Sequence, residues 1–146
     1  MKVFLLATTI LLLISRIKST PRMLSKTLYR ANLSNELDKQ KKAFEGERED
    51  FVALVKGASV VMVLLCQAFV FVYYLLVGNR FSSNIMMLIL TALQIVTIFI
   101  TTTKMTLNTN AFSQNVDDHK FHRLYFLFNV VLDYIYYPMT IYLLLT

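Results

Sequence analysis

The chain has 146 residues, a net charge of +6 and a mean hydropathy of +0.54; 56% of its residues are hydrophobic and 16% charged. Soluble domains carry roughly 25% charged residues, and here fifteen bases and nine acids are clustered rather than spread. That balance excludes an ordinary soluble enzyme, a disordered chain and a disulfide-stapled module, since Cys66 is the single cysteine.

Four apolar runs order the chain. The first, residues 3–15, lies between Lys2 and Arg16. Thirteen residues at 1.5 Å each reach only ~20 Å, short of the ~30 Å hydrocarbon core. Snorkelling of Lys2 and Arg16, with Ile17 added, extends it to a span over about 3–19. The competing reading is a cleaved signal peptide with Ser19 as its small residue.

Segment 16–50 follows and holds nine bases. Its first part, up to Asn35, has no acid and includes Arg16, Lys18, Arg22, Lys26 and Arg30. Thr20-Pro21 reads as a helix start, with Thr20 as cap and Pro21 at the first helical position. Leu24, Leu28 and Ala31 then share one face, an amphipathic basic surface suited to anionic headgroups. The second part carries six acids and four bases, and Asp38–Lys42 and Lys41–Glu45 form i,i+4 pairs. It is expected to run helically into the second span, weakened at Gly46. Only Tyr29 interleaves with the bases, which does not support nucleic-acid binding.

The second span covers about 52–77, with Lys56 near its start. A tight turn at Gly78, Asn79 and Arg80 leads to the third, about 83–103. A loop over 104–123 carries Asp117, Asp118, His119, Lys120 and His122. The i,i+3 histidines lack further ligands of defined geometry and stand among cations, so no metal site is expected. The fourth span, about 124–145, contains one charge, Asp133.

Basic residues in loops set orientation. Placing 16–50 and 104–123 on the inner side puts twelve bases inside and two, Lys2 and Arg80, outside. That requires a crossing before residue 16, so the first run is read as a retained span with both termini outside. The acceptor triplet Asn32-Leu33-Ser34 then faces inward.

Polar residues within the spans mark candidate contacts. A carboxylate at mid-span costs about 2.5–3.5 kcal/mol and must face protein or water. Asp133 shares a helical stripe with Asn129, Tyr136 or Tyr137, and Thr140. Depth counting sets Gln94 level with Asp133, so these two are the expected interhelical hydrogen bond. Lys56 and Asn129 fall level near the inner interface, from which Lys56 can reach toward Asp133. Gln67 lies on the second span's polar stripe. Tyr73, Tyr74, Tyr134, Tyr136, Tyr137 and Tyr142 read as an interfacial belt, and Cys66 as inert.

No hydrolase, metalloprotease or phosphate-loop motif is present, and three glycines cannot supply a nucleotide loop. The fold expected is all-α, a single domain of four transmembrane helices with a helical inner loop. The function expected is that of a non-catalytic subunit or accessory protein of a membrane complex. It needs no cofactor, and its partners are the bilayer and another membrane protein or a second copy. The alternative is a small oligomeric transporter or channel using Asp133. A bacterial cytoplasmic membrane is the expected setting, with the mitochondrial inner membrane or the endoplasmic reticulum as alternatives.

Overall fold

The computed structural model describes residues 1–107 and 122–146. They form α1 (Lys2–Leu24), α2 (Lys26–Phe44), α3 (Glu49–Arg80), α4 (Ile85–Leu107) and α5 (Arg123–Leu145), with no strand among the described residues. α1, α3, α4 and α5 are long and apolar enough to cross a membrane. At 1.5 Å per residue α1 and α5 each reach about 34 Å, and α3 about 48 Å.

The helix ends differ from those expected, and each difference has a local cause. α1 does not stop before Pro21 but carries it in its last turn, where its missing N–H costs the helix one bond, that to the Ile17 carbonyl. The Ser19 and Thr20 hydroxyls return to the Arg16 carbonyl at 3.0 and 2.8 Å, so Thr20 is not a cap. The break falls at Ser25, which is extended and accepts the Leu28 N–H on its hydroxyl at 3.4 Å. Leu24 and Leu28 therefore sit on different helices, and both are exposed. The amphipathic face expected across them is not formed.

α2 ends outright at Phe44 instead of continuing. Gly46 takes a φ of +84°, a left-handed value that glycine adopts without penalty and that terminates a helix. α3 runs through Gly78, Asn79 and Arg80, so the turn lies later. There Phe81 N–H bonds the Val77 carbonyl at 3.0 Å, and Asn84 Oδ1 caps α4 by accepting Met87 N–H at 3.1 Å.

α5 is the hub. It packs along α1 and against α4, while α3 packs against α4 and touches α1 only briefly. Neighbours run antiparallel: Thr91, Gln94 and Thr101 of α4 meet Tyr136, Asp133 and Tyr125 of α5 in reverse order. Met1 and Thr146 thus lie at one end, the terminal end. Leu24, Glu49 and Arg123 lie at the other, the basic end.

Burial is uneven along this axis. α1 buries Leu5, Thr8 and Thr9, and α3 buries Tyr73, Tyr74, Val77 and Gly78. Met87, Leu90, Thr91 and Gln94 of α4 join them, facing a stripe of α5 from Asn129 to Leu144. All of the α1, α3 and α4 members lie toward the terminal end, and the first 24 residues of α3 bury nothing. Four tyrosines expected in an interfacial belt are core instead. Tyr74 and Tyr136 stack edge to face at 5.2 Å, Tyr73 and Tyr137 flank them, and only Tyr134 and Tyr142 face outward.

Candidate functional site

Asp133 sits at the centre of the bundle, 2% exposed. It is carried there by the α5 stripe, since Asn129, Tyr136, Tyr137 and Thr140 are buried on the same side. Gln94 Nε2 donates to Asp133 Oδ1 at 2.7 Å. The second oxygen lies 2.5 Å from Arg16 Nε, a close ion pair that lacks the alignment of a hydrogen bond. The cation on Asp133 is therefore Arg16 and not Lys56. Lys56 stands beside Glu47 and Glu49 near the start of α3, on a stretch that does not pack into the bundle.

A relay of hydroxyls extends the cluster. Tyr74 donates to Gln94 Oε1 at 3.2 Å. A phenol has one proton, so at the 2.8 Å contact between them Tyr137 is the donor and Tyr74 the acceptor. The order is Tyr137 to Tyr74 to Gln94 to Asp133, closed by Arg16, and it ties α5, α3, α4 and α1 together. Replacing Tyr74 with Phe removes one donor and one acceptor from this chain. It is expected to lower unfolding free energy by about 1 kcal/mol, measured by denaturant unfolding in detergent.

The remaining candidate residues divide. Gln67 of α3 accepts from the Thr102 hydroxyl of α4. Asn129 is 7% exposed, and its Oδ1 finds no hydrogen-bond partner among the described residues. Lys18, Arg22, Lys26 and Arg30 are exposed, whereas Arg16, expected to share a basic surface with them, turns inward. Arg16 follows directly on the first apolar run, and with Asp133 it makes the natural charge pair of the spans. That complementarity was the available signal for it. Cys66 is exposed on α3. His119 and its acidic neighbours lie outside the described residues, and among those described no group of histidine, cysteine or carboxylate side chains could hold a metal.

Toward the basic end the cluster opens into a half-enclosed cavity of about 350 Å³. Arg16, Asp133, Asn129 and Gln67 supply its polar wall, and Leu12, Val70, Ile98 and Phe126 its apolar one.

Chemically, both carboxylate oxygens of Asp133 are engaged by a cation and an amide, and its charge is balanced. The arrangement clamps helices rather than presenting a free base. Comparison of the chain with family models, with curated proteins and with solved structures finds no match.

Proposed function

We propose that the protein is a multi-pass, non-catalytic subunit or accessory protein of a larger membrane assembly. In this reading residues 16–50 face the cytoplasm and both termini lie outside, as the distribution of lysine and arginine favours. The observation that carries it is α3. Its first 24 residues bury no side chain, yet they hold Lys56 and Ser59 among apolar neighbours. Polar positions in a span are costly against lipid and are accommodated by helix–helix contact. The transporter alternative draws less support, because it needs a carboxylate free to take up and release a cation or proton, and both Asp133 oxygens are occupied.

The test is purification in mild detergent with quantitative composition. A partner protein in fixed stoichiometry is expected. Val61→Trp and Leu65→Trp, on the exposed part of α3, should reduce its recovery at least fivefold, while Leu124→Trp on exposed α5 should not. A chain that purifies only as a monomer or a homo-oligomer overturns the proposal.

A further inference from the structure

We infer that the cavity at the basic end binds an uncharged acyl glyceride, its glycerol hydroxyl donating to Asn129 Oδ1 and its ester carbonyl accepting from Arg16. Three features lead to this class of ligand. The first is an unmet acceptor: Asn129 lines the cavity, is 7% exposed, and its Oδ1 has no partner among the described residues. A buried unpaired acceptor is destabilising unless something donates to it.

The second feature is spare donor capacity. Arg16 has five N–H groups, of which Nε is spent on Asp133 and one on Nη1 on the Met23 sulfur at 3.0 Å. Asn129 lies one helical turn before Asp133, about 6 Å along α5, so the free donors and the free acceptor face one space. The third is charge balance. Arg16 and Asp133 cancel, and a further charge in a half-enclosed apolar cavity would bear a desolvation penalty with no counter-ion to offset it. That argues against a fatty-acid anion or a phospholipid phosphate and for a neutral polar head.

The cavity's shape fits an acyl chain as well. Its volume lies within the range of small-molecule sites. On the α3 side only Gln67, Val70 and Tyr74 form the wall, so beyond Gln67 toward the basic end α3 leaves it open. A chain lying against Leu12, Ile98 and Phe126 can leave there into the bilayer. The inference stands apart from the subunit reading, since it concerns only the interior of this chain.

The experiment uses the full-length protein in nanodiscs with monooleoylglycerol bearing a diazirine in its acyl chain. Saturable photolabelling of peptides from α1 or α5 is expected. Unlabelled monooleoylglycerol should compete at least tenfold better than oleate. Asn129→Leu removes the acceptor, and Ser15→Phe fills the cavity from α1 while leaving Asn129 and Arg16 in place. Each should weaken labelling about tenfold, and thermal unfolding in detergent reports which of the two remains folded. Labelling that does not saturate, equal competition by oleate, or wild-type labelling of a folded variant overturns the inference.

Discussion

Arg16→Met is expected to lower the unfolding free energy by about 2–3 kcal/mol, and adding Asp133→Asn should recover most of that loss. Removing one member of a buried ion pair typically costs ~3–5 kcal/mol because the other charge is stranded. The lower figure applies here because the Arg16 side chain is 24% exposed, whereas Asp133 is 2% exposed. Methionine keeps the length and apolar bulk of the arginine stem, so packing on α5 changes little. Asp133→Asn alone should cost less, about 1 kcal/mol. The amide still accepts from Gln94, and Arg16, in the last turns of α1, can extend toward the basic end. The pair is therefore expected to couple by more than 1 kcal/mol, above the ~0.6 kcal/mol average for polar contacts between membrane helices. Equilibrium unfolding of the four variants in mixed micelles measures it. Additive effects would show that Arg16 and Asp133 sit side by side without depending on each other.

This pair also resolves the weakness of the first apolar run. Residues 3–15 are too short to cross unaided, and a charge directly after them reads as the end of the span. With Arg16 neutralised by Asp133, the helix carries its charge into the bundle and runs on to Leu24. The charge that marks the boundary of the run in sequence is thus the one that fastens α1 to α5.

The existence of the long helices was legible because lipid-length apolar runs have few alternative structures. Gln94 and Asp133 were legible together because depth can be counted along two antiparallel helices. Counting gives level, not neighbourhood, and there Lys56 failed. It was level with Asn129, but α3 packs chiefly on α4, and Lys56 lies beside Glu47 and Glu49. The tyrosines failed for a related reason. Tyr at the end of a span suits either an interface or a core, and the choice depends on which face meets another helix. Tyr136 and Tyr137 share the Asn129–Asp133–Thr140 side of α5, and that shared face was the clue to their burial. The helix ends at Leu24, Phe44 and Arg80 turned on competition between nearby signals: Ser25 over Thr20 as cap, a left-handed Gly46, and Asn84 as the next cap after Arg80.

The close approach of α3 to α4 at Gly78 sets the second large effect. A Cβ at Gly78 would lie 3.1 Å from Thr91 Cγ2. Thr91 cannot easily yield: it is 4% exposed, β-branched and hydrogen-bonded to the Tyr136 hydroxyl at 3.4 Å. Gly78→Ala should therefore cost about 1 kcal/mol, and Gly78→Leu about 2–3 kcal/mol, as overpacking does in tight cores. The consequence exceeds the local clash because α3 buries only Tyr73, Tyr74, Val77 and Gly78. Prising that segment away loosens the whole 32-residue helix. In a Cys66→Ala background, Gln67→Cys and Thr102→Cys should cross-link, since those side chains touch. Adding Gly78→Leu should reduce the cross-link at least fivefold, and pairing Gly78→Ala with Thr91→Ser, which removes the offending methyl, should restore wild-type stability to within about 0.5 kcal/mol. Retention of the cross-link in Gly78→Leu would mean that α3 is held along its exposed length by contacts this chain does not itself supply.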